Sequence, residues 1–233
     1  MNRFEPNGLT WKVRAKRKGL MSVMDPYDYK GRKSKYTDTI HKIVLNKYFN
    51  PSYGDKVLDF GCGTGRLVKI LSKNTDYTGI EITKEMINVA KRKYPNKRFI
   101  IYNKKLPFKN NFFDYIVSVW VLQHISNKND FKKIIKGLKR CLKTGGKLLM
   151  IEQVSVKKTE KDWIKSIESK NIKYVVGFPI RKSISIIGIL IKKGMIPKFL
   201  YKQIAHIDIL LKRGTTVPKT GYLDYFFIFK KVK

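Results

Sequence analysis

The chain has 233 residues, enough for one ordinary domain plus an insertion and for a sizeable buried core. Hydrophobic residues make up 42% and aromatics 12%, which excludes wholesale disorder despite a formal net charge of +34. The N-terminus lacks the apolar stretch of a secretory signal, and the longest apolar run (184–191) falls far short of the roughly 20 residues that span a bilayer.

Residues 1–35 read as a basic N-terminal arm or cap, broken by glycine and proline, with one short helix expected around Leu9–Lys18. Helical periodicity begins near Tyr36, runs through Ile40, Ile43, Val44 and Tyr48, and stops before Pro51. Strands and helices then alternate. Strands are expected at 56–60, 77–81, 98–102, 115–120, 147–152 and 174–178, with helices at 65–71, 84–93, 130–142 and near 163–169. Gly145-Gly146 reads as the turn into the fifth strand. Residues 179–220 form an apolar and basic insertion, expected to fold as two helices, before a last strand at 222–229. This order predicts a doubly wound, Rossmann-like α/β fold with seven strands, mostly parallel with an antiparallel last strand, plus a helical lid insertion. The cofactor-binding core is expected over 36–178, closed by the last strand in 221–233.

The strongest chemical signal is Val57-Leu58-Asp59-Phe60-Gly61-Cys62-Gly63-Thr64-Gly65, an apolar strand running into a glycine-rich turn and a helix. Glycines there let backbone approach a ligand closely. Twenty residues after Gly61, ending the second strand, stands Glu81, where an acid can accept both hydroxyls of a ribose. A dinucleotide site usually reads Gly-x-Gly-x-x-Gly and holds pyrophosphate on a helix N-terminus. Here the spacing is Gly-x-Gly-x-Gly with Asp59 just before it, and a carboxylate there repels pyrophosphate. It suits a nucleoside ligand that carries an ammonium group and no phosphate.

Taken as a set, Asp59 to Gly65, Gly79-Ile80-Glu81-Ile82, Leu106-Pro107-Phe108 with Phe113-Asp114, and Leu142-Lys143-Thr144-Gly145-Gly146 resemble the successive motifs of class I S-adenosylmethionine-dependent methyltransferases, small-molecule branch. The resemblance covers about residues 40–152. It implies S-adenosylmethionine as cofactor. Asp59, Gly61, Cys62, Gly63 and Gly65 would hold its methionine end, Glu81 the ribose, and Ile82 and Val119 would line the pocket. The family's usual aspartate four residues before Leu106 is Tyr102 here, so Asn103, with Lys104 beside it, is the candidate for the adenine amino group. In the resembled family the segment Val119–Ile125 lines the methyl-transfer site, which makes His124 the candidate catalytic residue, as a base or as a residue that orients the acceptor. His41 and His206 fall on expected helices and read as packing or surface residues.

Cys62 and Cys141 lack metal-ligand spacing, so reduced thiols in a cytoplasmic protein and no metal are expected. Residues 1–35 carry ten basic and three acidic side chains, and residues 179–233 carry 12 and two; the basic excess is widespread. Such a surface attracts nucleic acid, acidic lipid headgroups or other anions without choosing among them. The expected function is O-methylation of a small-molecule or glycan acceptor, including a lipid-linked one. An RNA or ribosomal methyltransferase and a non-catalytic cofactor-binding module are the alternatives. Ile186, Ile187, Leu190 and Ile191, flanked by Lys182, Lys192 and Lys193, form an apolar face that either closes the acceptor pocket or lies peripherally on an anionic membrane.

Overall fold

The structure is a computed structural model that describes residues 11–233 apart from Lys18, Pro26, Ile184, Arg213 and Gly214. Seven strands form one sheet: β1 (Lys56–Phe60), β2 (Asp76–Glu81), β3 (Arg98–Ile101), β4 (Phe113–Val119), β5 (Leu142–Val154), β6 (Ile172–Lys182) and β7 (Leu223–Lys231). Their order is β3-β2-β1-β4-β5-β7-β6. The first five strands pair in parallel, and β7 runs antiparallel between β5 and β6. This is the doubly wound architecture expected from the alternation of elements.

The central strands read as continuous apolar runs because both faces are covered. Along β5, Leu148 and Met150 enter one hydrophobic cluster while Leu149 and Ile151 enter the other; along β7, Phe227 and Phe229 oppose Phe226 and Ile228. One face is covered by α2 (Arg32–Tyr48), α3 (Val68–Leu71) and α4 (Lys84–Lys93), the other by α5 (Lys128–Cys141) and α6 (Glu160–Ile167). Local chemistry sets several boundaries. The Asn127 side chain accepts from the amides of Asn129 and Asp130, and Thr159 and Asp162 form a reciprocal capping box.

Three boundaries differ from expectation. Gly145-Gly146 is not a turn before β5 but a kink inside it, because Leu142 already pairs with Phe113. Strand β6 continues past Pro179 to Lys182 by pairing with β7, so the insertion starts four residues later than 179. The helix expected from Gly65 is tight turns until Val68. The arm contains α1 (Trp11–Arg14); Leu9, Thr10 and Lys18 of its expected helix lie outside the described residues.

The insertion does form two helices, α7 (Ile186–Lys193) and α8 (Tyr201–Lys212), joined through Gly194 and a short 3-10 turn at Lys198–Leu200. Both pack against α2, and α8 also packs on β6; Ile191, Tyr201, Ala205 and Ile209 join the core. Among the described residues, no helix is long and apolar enough to cross a membrane.

A buried ionic cluster fastens β6, β7 and α2 to the end of β4. The Arg181 Nε donates to Asp224 Oδ2 at 2.5 Å, and Trp120 Nε1 donates to Asp224 Oδ1 at 3.2 Å. His41 lies edge-on to Trp120 at 5.0 Å, 3.6 Å from the same carboxylate. Burial opposes the Asp224 charge, yet Arg181 outweighs it and holds the carboxyl below its usual range; burial lowers the His41 ring against the pull of Asp224. Removing one partner leaves a buried charge uncompensated. Asp224→Ala is therefore expected to lower stability in urea denaturation by about 3–5 kcal/mol. A cost below about 1 kcal/mol would show that the cluster does not fasten the sheet edge.

Candidate active site

Strand β1 ends at the centre of the sheet, where neighbouring connections leave in opposite directions and open a crevice. The turn that follows is left-handed at all three glycines, with φ of 79° at Gly61, 54° at Gly63 and 79° at Gly65. A side chain at Gly61 would run into Val121, and one at Gly63 would come within 2.6 Å of Val23. The backbone is thereby exposed to the crevice as no other residue type permits.

Two carboxylates flank this turn. Asp59 is buried and accepts from the Tyr77 hydroxyl at 2.9 Å. Burial pushes its carboxyl up to about 6, against the opposing pull of Tyr77 and Arg66. Glu81 accepts from the Gly63 amide at 3.2 Å and from the amides of Ile82 and Thr83 at 2.8 and 3.0 Å. Burial raises its carboxyl, and the three amides restrain the rise.

These groups open on one cavity beyond the C-terminal ends of the central strands. Of the expected cofactor residues, Asp59, Gly61, Cys62, Gly63, Glu81, Ile82 and Val119 line it together, and so does His124. Gly65 shapes the turn behind them without lining the cavity. Asn103 and Lys104 are exposed, lie in a tight turn closed by the Asn103–Lys105 bridge, and do not line it; Tyr102 occupies the wall instead. The Cys62 thiol is buried, and burial raises it well above its ordinary value, which leaves it inert.

Several wall residues carry no sequence signal of their role. Arg66 lines the cavity and pairs with Asp38 at 2.7 Å. Trp11 and Val23, from the basic arm, form part of the roof. Arg14 holds that arm in place, its guanidinium lying 4.3 Å over the Trp11 ring and donating to the Met24 carbonyl at 2.5 Å. The roof is thus the N-terminal arm. No described residue of α7 or α8 lines this cavity.

The segment after β4 is fixed from below. The buried Glu152 carboxylate, on β5, accepts from the amides of Val121, Leu122 and Gln123 at 3.3, 3.0 and 3.2 Å. Burial pushes Glu152 up to about 7 while the amides act against it. Trp120 takes a left-handed φ of 58°, held through its indole by Asp224. His124 packs edge-on against Trp11 at 5.2 Å, and burial, then the Arg14 charge, lowers its ring to about 4. A second chamber of about 730 Å³ shares Trp11, Val23, Trp120 and His124 with the first, and adds Tyr27, Lys33, Gln153 and Tyr222 among its walls. The four shared side chains stand between the two spaces.

Comparison with known proteins agrees with this geometry. Residues 58–150 match the family described as "Methyltransferase domain". An uncharacterized protein of Methanocaldococcus jannaschii, MJ1252, is 37% identical over 109 residues, which are 46% of this chain and 41% of that protein. The ubiquinone/menaquinone biosynthesis C-methyltransferase UbiE of Wigglesworthia glossinidia brevipalpis is 32% identical over 127 residues, 48% of this chain and 50% of its own. The chain spans about half the length of the curated relatives it matches. A SAM-dependent methyltransferase structure from Methanosarcina mazei superposes with a TM-score of 0.59 at 18% identity, covering 81% of this chain and 97% of that one, and so shares the fold. The glycine turn, the acid ending β2 and the sheet order agree with this match: residues 58–150 carry the methyltransferase domain of that family, set in a fold shared with S-adenosylmethionine-dependent methyltransferases.

Proposed function

We propose that the protein transfers a methyl group from S-adenosylmethionine to a hydroxyl-bearing small acceptor seated in the second chamber. The observation that carries this reading is the partition: His124 and Trp120 face both spaces, so a group entering from the chamber meets the cofactor cavity there. Bound in the cavity at the glycine turn, S-adenosylmethionine would supply an electrophilic methyl on a sulfonium. The cavity fits it on the chain's own terms. Asp59 and Arg66 present opposite charges on one wall, suited to the ammonium and carboxylate of an amino acid, and Glu81 stands where ribose hydroxyls would lie. Ile82 is half-exposed into the cavity and offers an apolar surface to a base.

In the chamber, Trp11, Tyr27, Trp120 and Tyr222 favour a flat, ring-bearing acceptor. His124 is neutral at physiological pH and, although burial makes it a weak base, a ring nitrogen beside the Gln123 amide can accept the hydroxyl proton as the oxygen–carbon bond forms. Most of the acceleration would come from holding acceptor and methyl in line across a rigid partition. A second reading, C-methylation, is favoured by the likeness to UbiE. A phenolate can attack through a ring carbon as the sulfonium–methyl bond breaks, leaving S-adenosylhomocysteine, and the ring then loses that carbon's proton to solvent; the atom facing the partition would decide the product.

Cofactor binding should depend on pH in a defined way. The Asp59 carboxyl must be ionised to hold an ammonium, so affinity for S-adenosylhomocysteine should fall about tenfold per pH unit below about 6. It should also decline at alkaline pH, where the ligand's α-ammonium, held protonated by its neighbouring carboxylate, finally loses its proton. Calorimetry across this range checks both limbs, and a flat profile in the acid limb would remove Asp59 from the ammonium site. For the acceptor step, labelled-methyl transfer to a panel of phenols, with product analysis, tests the reaction itself. His124→Ala should lower kcat by about 10²–10⁴ with cofactor affinity little changed. A fall below about threefold would leave His124 an orienting residue only.

A further inference from the structure

The sequence between Ser183 and Lys212 contains five lysines, at 192, 193, 198, 202 and 212, and a single acid, Asp208. That acid is buried, accepts from the Tyr36 hydroxyl at 3.0 Å and pairs with Lys212 at 3.2 Å. The outward charge of this segment is therefore positive throughout. Lys192, Lys193, Lys198 and Lys202 are all exposed.

The same segment exposes an unusual amount of apolar surface. Helix α7 buries Ile191 and half-buries Ile187 and Leu190, so the face anticipated from sequence is largely turned inward. Ile186 of that face nevertheless stands 78% exposed, and Ile189 48%. Met195 and Phe199, in the connection, are 67% and 76% exposed. On α8, Ile207, Leu210 and Leu211 fall at helical spacing on the side away from Ala205, Asp208 and Ile209, and are 56–65% exposed. Seven large apolar side chains thus stand exposed between 186 and 211. Such a concentration marks an interaction surface rather than ordinary scatter.

We propose that the exposed α7–α8 surface is a peripheral docking site for an anionic lipid bilayer. Apolar side chains within a fringe of lysines suit the boundary between headgroups and acyl chains. Nucleic acid would engage the lysines but leave the isoleucines, leucines and Phe199 without a partner. Lysine stems bury their methylenes beside the apolar residues while their ammonium groups stay at headgroup level. A shallow cleft lined by Ser185, Gly188, Ile189 and Lys192 also involves Lys33 and Thr37, two residues of the acceptor chamber wall. The docking surface therefore lies beside the acceptor side of the molecule. The inference does not rest on methyl transfer, because docking is read from lipid binding alone.

The test is sedimentation of the full chain with vesicles of phosphatidylcholine alone and of phosphatidylcholine mixed with phosphatidylglycerol. Binding should be at least about tenfold stronger to the anionic vesicles and should weaken as salt is raised. The triple variant Ile189→Ser, Phe199→Ser, Leu210→Ser should lose at least about tenfold in binding to anionic vesicles while S-adenosylhomocysteine affinity, which reports the fold, stays unchanged. A second variant, Lys192→Glu, Lys193→Glu, Lys198→Glu, leaves the apolar residues in place. It should bind roughly a hundredfold more weakly, the change expected of three lysines worth about fivefold each near an anionic surface. Equal binding to both vesicle types, wild-type binding by both variants, or retention only by added RNA would overturn the proposal.

Discussion

The hydrogen bond from the Gly63 amide to Glu81 ties the left-handed turn after β1 to the end of β2, and the site is built around it. The same carboxylate accepts from Ile82 and Thr83, so one side chain fixes both edges of the crevice at the centre of the sheet. Three amides make this buried acid tolerable in the absence of a cation. Asp59 is different. It has the Tyr77 hydroxyl and a distant guanidinium, and its carboxyl rises to about 6, the behaviour of a group arranged for a positive ligand.

A parallel device sits across the cavity. Glu152 gathers the amides of Val121, Leu122 and Gln123 and so places His124, while Asp224 holds Trp120 in a backbone conformation that a tryptophan rarely adopts. Two buried carboxylates at the C-terminal end of the sheet thus position the partition without lining the cavity at the glycine turn themselves. Arg181 and His41 connect that partition to β6 and α2, so the packing of the insertion helices on α2 bears indirectly on the geometry of the site.

The fold was largely legible because its signals are local or periodic. Val57 to Gly65 reads as strand and turn from composition alone, and Lys84–Lys93 ends before Pro95 as proline requires. Asp59, Gly61, Gly63 and Glu81 come together because strand, turn and strand lie in fixed register. What escaped sequence reasoning depends on tertiary contact. Trp11 and Val23 sit in an aperiodic arm, and nothing local says that they roof a cavity whose other walls begin at Asp59. Gly145-Gly146 looks like a turn until Leu142 is seen paired with Phe113. The apolar residues of α7 have no local marker of which side faces α2, so sequence left open that Ile187, Leu190 and Ile191 turn inward while Ile186 stays outside. Arg66 and Glu152 are single charged residues whose roles follow only from what they face.

The central claim is that the cavity is built for an ammonium-bearing nucleoside rather than a dinucleotide. Calorimetric titration of the protein with S-adenosylhomocysteine and, separately, with NAD tests it most directly. The account predicts one site for S-adenosylhomocysteine and no measurable binding of NAD, whose pyrophosphate would meet Asp59. Binding of NAD at that site as tightly as S-adenosylhomocysteine, or no binding of either, would contradict it.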